Sequence, residues 1–117
     1  MKPLRDLVID LVLVIAFAAI GRASHAEDLS AGGIWQTAWP FLLAAVAGSL
    51  LGQRLAGSSW WRQGLVVWAV TVIGGVALRL ASGQSAAAGF VVVATLVLGL
   101  LLIGWRALAR PRAAART

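Results

Sequence analysis

Polar residues from three predicted helices could together bind an anion. They are Arg22, Ser24, His25, Thr37, Thr71 and Arg79. Thr71, Gly75 and Arg79 recur at every fourth position, so they share one face of a helix, and the glycine allows close approach. Guanidinium groups bind phosphates and carboxylates through paired N–H donors. We therefore predict a candidate ligand site for a phosphate, a carboxylate or a lipid headgroup.

Two other roles are open for these residues. Glu27 and Asp28 follow the first helix and could pair with Arg22 and Arg79 to fix a loop. Catalysis is the weaker alternative, because His25 has no second catalytic group identified beside it. The chain has no cysteine and a single histidine, so we predict no metal site and no cofactor.

A second charged group lies in the first apolar stretch. Asp6 and Asp10 are one turn apart, and Asp10 lies about 9 Å beyond Leu4 at about 1.5 Å per residue. An ionised carboxylate deep in a membrane costs about 2.5–3.5 kcal/mol, so it should have a cationic partner. Arg54 and Arg106, at the ends of later stretches, are the predicted partners. A proton-carrying Asp10 and a snorkelling side chain are the alternatives.

The composition argues against a water-soluble domain. Of the 117 residues, 61% are hydrophobic and 12% are charged, whereas soluble domains have about 25% charged residues. A membrane-spanning helix needs about 20 mostly apolar residues. Four stretches qualify: 4–22, 37–53, 64–80 and 86–105. We predict an all-α fold, a four-helix transmembrane bundle that forms one domain over 1–117 and ends in a basic tail, 106–117.

Turn-forming residues separate these stretches. Pro40 is predicted in the first turn of the second helix, where its missing N–H would have no helical partner. Gly57, Ser58 and Ser59 separate the second and third helices. Residues 82–85 form a short turn, so the third and fourth helices should be antiparallel neighbours.

The basic residues indicate an orientation. Only Arg22 and Arg79 lie on one side of the four stretches. The other eight are Lys2, Arg5, Arg54, Arg62, Arg106, Arg110, Arg112 and Arg116. Basic residues that flank spans remain in the cytoplasm. We therefore predict a multi-pass protein of the cell (plasma) membrane with both termini cytoplasmic. The preference for arginine over lysine, with abundant alanine and glycine, indicates a bacterial source.

Aromatic residues fit the same topology. Trp35 and Trp39 would mark the outer membrane interface, and Trp60, Trp61 and Trp105 the inner one. The basic tail is predicted to contact anionic lipid heads, at about 1 kcal/mol per basic residue. It has no interleaved aromatic side chains, so we predict no nucleic-acid binding.

The N-terminus has an alternative interpretation. A basic start, the apolar run 11–20 and the small residues Ser24 and Ala26 resemble a signal peptide cleaved after Ala26. Signal peptides rarely carry charges beside this run, whereas this chain has Asp10 and Arg22 there. We therefore expect the first helix to be retained.

Small residues indicate where helices pack closely. Ala44, Gly48 and Gly52 form a small-residue stripe on the second helix, and Gly74 and Gly75 are adjacent on the third. In lipid, such residues allow the close backbone approach on which helix packing depends. We predict that they serve contacts within the bundle, with a homodimer as the alternative.

Several strings resemble a known family. They are Ile-Gly-Arg-Ala-Ser-His at 20–25, Thr-Ala-Trp-Pro-Phe at 37–41, the residues Trp68, Thr71, Gly74, Gly75 and Arg79, and Trp105-Arg106. Over about 6–106, the chain resembles the small bacterial membrane proteins known as domain of unknown function 3054. The resemblance implies a four-helix membrane fold. It carries over no catalytic residue, because that family has no assigned activity.

Three functions are consistent with these observations. The leading hypothesis is a small binding or transport-type membrane protein with an outward-facing anion site at Arg22, His25 and Arg79. The second is a structural or accessory subunit of a larger membrane complex, and a homo-oligomer or a membrane protein partner is compatible with either. An enzyme acting on a lipid-linked substrate is the third, and no nucleophile or phosphate loop supports it.

Overall fold

The computed structural model describes residues 3–24 and 29–110, with only the backbone of Ser24. Within these residues the chain forms four α-helices and no β-strand. The helices are α1 (Pro3–Ser24), α2 (Ala31–Ala56), α3 (Trp60–Ala81) and α4 (Ala88–Ala109). The predicted all-α four-helix bundle is therefore confirmed. The basic tail beyond Arg110 lies outside the described residues.

The start of α2 differs from the prediction. The helix begins at Ala31 because Ser30 caps it: the hydroxyl oxygen of Ser30 accepts a hydrogen bond from the Gly33 amide at 3.1 Å. Pro40 consequently lies inside α2 and not in its first turn, so that prediction was wrong. The apolar run marked only the central part of a helix whose first turns are polar or small.

Pro40 leaves one backbone carbonyl of α2 without its usual helical hydrogen bond. Proline has no N–H, so it cannot donate the usual helical hydrogen bond to the carbonyl of Gln36. The side-chain amide of Gln84 donates to this carbonyl at 3.3 Å. The turn between α3 and α4 is therefore tied to α2 at the position where proline interrupts its hydrogen bonding.

Much of the surface of the described bundle is apolar, whereas three charged side chains, Asp6, Asp10 and Arg106, are buried. Three helices, α2, α3 and α4, are long and apolar enough to cross a membrane. Helix α1 is as long as α3 and α4, but it carries four charged residues: Arg5, Asp6, Asp10 and Arg22. Leu100 is 74% exposed, whereas the side chains of Asp10 and Arg106 are buried. This distribution suits a bundle surrounded by lipid.

The four helices form a ring in which each helix contacts its neighbours in sequence and α4 contacts α1. The contact between α2 and α3 is the most extensive, and that between α1 and α4 the least. We call the end with Pro3, the α2–α3 turn and Arg110 the inner end, after the cytoplasmic side predicted for it. The opposite end, with Ser24, Ser30 and the α3–α4 turn, is the outer end.

The small-residue stripe of α2 faces α3. A Cβ atom added to Gly48 would lie 3.2 Å from the backbone of Val67, and one added to Gly74 would lie 3.0 Å from the Cβ of Ala44. Gly52 is equally close to the backbone of α3. These glycines therefore occupy a contact within the bundle, which is the first of the two uses predicted for them.

The middle of the bundle is a largely apolar core. Its buried members include Val14, Phe17, Phe41, Val67, Ala94 and Leu98. Phe17 and Phe41 meet edge to face, with ring centroids 5.2 Å apart, and Phe90 lies 5.9 Å from Phe41. Such aromatic contacts add about 0.5–1.5 kcal/mol to the contribution of the buried area. Together the three rings form the outer layer of the core.

We expect Gly75→Ala to destabilise the protein by about 1–3 kcal/mol, the usual cost of overpacking a core. A Cβ at this position would overlap the ring of Phe41, which is buried. The control is Gly32→Ala, because a Cβ on Gly32 meets no described atom within 4 Å. Denaturant unfolding in detergent, followed by circular dichroism, measures both. Equal stability of the two variants would contradict the close contact between α2 and α3.

Candidate functional site

A cavity of about 260 Å³ opens at the outer end, where residues from all four helices meet. Its walls are Phe17, Gly21, Arg22, Thr37, Arg79, Ser85, Ala87, Gly89 and Phe90. Three of the six residues predicted for a ligand site, Arg22, Thr37 and Arg79, line this one cavity. They come from three different helices, so only the folded bundle brings them together.

Arg22 lies in the last turn of α1 and reaches across to α2. Its Nη1 donates a hydrogen bond to the hydroxyl oxygen of Thr37 at 3.0 Å. Thr37 is buried, being only 7% exposed, so the bond lies at the wall of the cavity and not on the outer surface. A cation at this place also interacts favourably with the C-terminal end of the α1 dipole.

Arg79 occupies the corresponding position at the end of α3. Its Nε donates to the carbonyl oxygen of Ser85 at 2.6 Å, and its guanidinium carbon lies 4.3 Å from the centroid of the Phe90 ring. A guanidinium above an aromatic face gains a cation–π attraction. The Ser82 hydroxyl donates to the Arg79 carbonyl at 2.9 Å, which also fixes the end of the helix. The planar group is thus held in one orientation.

Two guanidinium groups on a small cavity make a site suited to an anion. Each guanidinium has five N–H donors, enough to bind protein groups and an oxyanion together. The rings of Phe17 and Phe90 form apolar walls beside them. Apolar walls lower the local dielectric constant and so strengthen the attraction between the arginines and an anion.

Other residues predicted for the site lie elsewhere or outside the described part of the chain. Thr71 is fully buried on α3 and does not line the cavity, because Phe41 packs on Gly75 between Thr71 and Arg79. Ser24 ends α1, and its side chain is outside the described residues. His25 is also outside them, as are Glu27 and Asp28, the predicted loop partners of the arginines.

The second charged group forms a buried ion pair toward the inner end. Arg106 binds Asp10 with both terminal nitrogens, Nη1 to Oδ1 and Nη2 to Oδ2, each at 2.8 Å. Nη1 also donates to the carbonyl of Leu102 at 3.1 Å. Of the two predicted partners of Asp10, Arg106 makes the contact, whereas Arg54 is exposed on α2.

Trp105 completes the environment of Asp10. Its indole Nε1 donates to Asp10 Oδ1 at 2.9 Å, and the guanidinium carbon of Arg106 lies 4.8 Å from the centroid of its ring. Both carboxylate oxygens therefore accept hydrogen bonds, and one of them accepts two. These bonds satisfy Asp10 as an anion and fit the predicted structural ion pair.

Further polar groups are buried at the inner end. Asp6, Ser49 and Gln63 have side chains at most 1% exposed, on α1, α2 and α3 respectively. Asp6 Oδ1 accepts a hydrogen bond from Arg5 at 3.1 Å. Asp6 Oδ2, Gln63 Oε1 and Arg106 Nε have no hydrogen-bond partner among the described residues. The inner end thus has a layer of polar side chains contributed by all four helices.

Several residues at the outer cavity and around Asp10 were not predicted from the sequence. Phe17 and Gly21 line the outer cavity from α1, but they look like ordinary residues of an apolar run. Their spacing of four from Leu13 was the available signal, since it puts all three on one helix face. Trp105 was predicted as an interface residue, whereas its indole N–H binds Asp10. Because Trp105 is adjacent to Arg106 in the sequence, the predicted pairing of Arg106 with Asp10 could have indicated that Trp105 also lies near Asp10.

No group of three or more metal-ligating side chains occurs among the residues that the structure describes. The outer cavity is lined by guanidinium, hydroxyl, backbone and aromatic groups. This donor set suits an anion and not a cation.

Comparison with known families identifies the chain. A family model described as "Protein of unknown function (DUF3054)" matches residues 7–109. Because the match covers most of the 117 residues, the chain belongs to this family. No curated protein matches the chain. No solved structure matches it either.

We expect Asp10→Ala to destabilise the protein by about 3–5 kcal/mol, because it leaves the buried Arg106 without its counter-ion. The double variant Asp10→Leu with Arg106→Met should recover most of this loss, since it removes both charges and keeps an apolar volume. Denaturant unfolding in detergent measures the three proteins. A double variant as unstable as Asp10→Ala would show that the pair does more than compensate charge.

Proposed function

We propose that this member of the family is an integral membrane protein that binds an oxyanion, a phosphate-type group in particular, at its outer end. The observation that carries the proposal is the presence of Arg22 and Arg79, from different helices, on one cavity. Typical small-molecule pockets have volumes of about 300 Å³ or more. This cavity is slightly smaller, so it suits a small group such as a phosphate.

The interior of the bundle supports binding in preference to transport. Phe17 and Phe90 line the cavity, and the largely apolar core lies between it and the inner end. Beyond this core Arg106 is held in its bidentate ion pair with Asp10, so its guanidinium is not available to an anion. An anion that enters the outer cavity therefore has no favourable path along the bundle axis.

We propose a topology of four spans with both termini in the cytoplasm. Five described arginines lie at or near the inner end and two near the outer end. Those near the inner end are Arg5, Arg54, Arg62, Arg106 and Arg110. An excess of Lys and Arg beside short loops sets the cytoplasmic side. Because the bidentate ion pair compensates two of the charges on α1 and α4, α1 can join the other three helices in the membrane.

We expect purified protein in dodecyl maltoside to bind inorganic phosphate saturably, as measured by isothermal titration calorimetry. Arg79→Gln and Arg22→Gln should each weaken this binding at least about tenfold, since hydrogen bonds to charged groups contribute about 1.5–3 kcal/mol. Arg54→Gln is the matched control: it removes the same charge from an exposed position near the inner end.

Three outcomes distinguish the alternatives. Loss of phosphate binding in both outer variants, with unchanged unfolding curves, would support the site. Phosphate binding that depends equally on Arg54 would assign it to net charge and contradict the proposal. Absence of binding in the unaltered protein would also contradict it, and would favour the alternative of an accessory subunit, for which crosslinking in native membranes should recover one dominant protein partner.

The absence of cysteine from the chain allows a direct test of the topology. We expect Ser82→Cys, in the α3–α4 turn, to react with a membrane-impermeant maleimide added to intact cells. Ser58→Cys, in the α2–α3 turn, should react only after the cells are opened. Both serines are exposed at turns, so a difference in reactivity reports the side of the membrane. The reverse pattern would invert the proposed orientation.

A further inference from the structure

The outer cavity lies at one end of a seam between α1 and α4. On α1, the cavity residues Phe17 and Gly21 share a helix face with Leu13, because the three are spaced by four residues. On α4, the cavity residue Phe90 and Leu101 are separated by eleven positions, about three turns of 3.6 residues, and also share a face. One face of each helix therefore runs from the cavity toward the inner end, and the rings of Phe17 and Phe90 meet across the seam, with centroids 6.3 Å apart.

A second cavity lies on the same two faces. It has a volume of about 430 Å³ and is lined by Leu13, Leu100, Leu101, Gly104, Trp105 and Leu108. The contact between α1 and α4 is the least extensive around the ring, and a Cβ added to Gly104 would meet no described atom within 4 Å. Below the contact between Phe17 and Phe90, the seam is thus an apolar surface groove, which begins about 15 Å from Phe90 along α4 at about 1.5 Å per residue.

The outer cavity also lies at a characteristic depth. Thr37, which lines it, is between Trp35 and Trp39 along α2. Trp35 is 62% exposed, so its indole faces the surroundings of the bundle. Tryptophan side chains concentrate at the level of the lipid headgroups. The two guanidinium groups are therefore at the depth where the phosphates of one membrane leaflet lie.

We propose that the bound ligand is a phosphate-bearing lipid of the outer leaflet, with its phosphate between Arg22 and Arg79 and its hydrocarbon chain in the α1–α4 seam. This inference rests on the proposed anion site and names its ligand. The charge of the cavity complements the phosphate, and the seam offers apolar surface on which each buried methylene group adds affinity. A free phosphate shares the first interaction but has no group that fills the seam.

The experiment uses the full chain in nanodiscs of dioleoylphosphatidylcholine that contain a minority of dioleoylphosphatidate. Native mass spectrometry after release counts the phosphatidate retained per protein. Glycerol 3-phosphate, which has the same phosphate without the chains, is added as a soluble competitor. We expect one retained phosphatidate that a large excess of glycerol 3-phosphate does not displace.

Two leucine variants test the seam separately from the headgroup site. Gly104→Leu fills the apolar cavity far from the arginines, so phosphatidate affinity should fall about tenfold, the contribution of about two buried methylene groups. Binding of inorganic phosphate should be unchanged. Gly32→Leu adds the same side chain where a Cβ also meets no described atom, and it should have no effect on either probe. Melting curves followed by circular dichroism verify that both variants fold.

The measurements distinguish failure of the lipid proposal from failure of the anion site. If glycerol 3-phosphate displaces the lipid, or if Gly104→Leu retains phosphatidate as well as Gly32→Leu does, the ligand is a soluble phosphate and the lipid proposal is overturned. If Arg79→Gln retains phosphatidate as fully as the unaltered protein, the lipid is held elsewhere. This result overturns the lipid proposal, whereas the anion site fails only if the binding of inorganic phosphate is also unchanged in Arg79→Gln.

Discussion

The ion pair between Asp10 and Arg106 determines how α1 joins the rest of the bundle. Without their mutual compensation, neither charge could be buried in apolar surroundings, because an isolated charge there costs several kcal/mol. The pair connects the first helix to the last across the least extensive contact of the ring. Together with the more extensive contact between α1 and α2, it keeps α1 packed against its neighbours, which places Arg22 and Phe17 at the outer cavity.

The same constraint explains why polar and apolar groups are arranged in layers. Arginines and hydroxyl groups occupy the outer end, aromatic and aliphatic side chains fill the middle, and paired charges with buried amides occupy the inner end. An apolar layer separates the cationic outer site from the paired charges of the inner end. The core thereby contributes to stability and keeps the two charged layers apart.

Much of this architecture could be predicted from the sequence, because length and apolar content determine which stretches form membrane-type helices. The four helices, the antiparallel neighbours and the pairing partners considered for Asp10 followed from these properties and from charge. The start of α2 did not, because a capping serine extends the helix beyond its apolar part. The packing of Phe41 against Gly75 could not be predicted either, since it depends on the rotation of one helix against another.

The position of Pro40 has a consequence for how the family can change over evolution. Gln84 donates a hydrogen bond to the carbonyl of Gln36, the one that proline leaves without its helical donor, although the two glutamines are 48 positions apart in the chain. A relative with another residue at position 40 supplies its own N–H to that carbonyl and no longer needs an amide at position 84. The two positions should therefore co-vary, with proline at the first restricting the choice at the second.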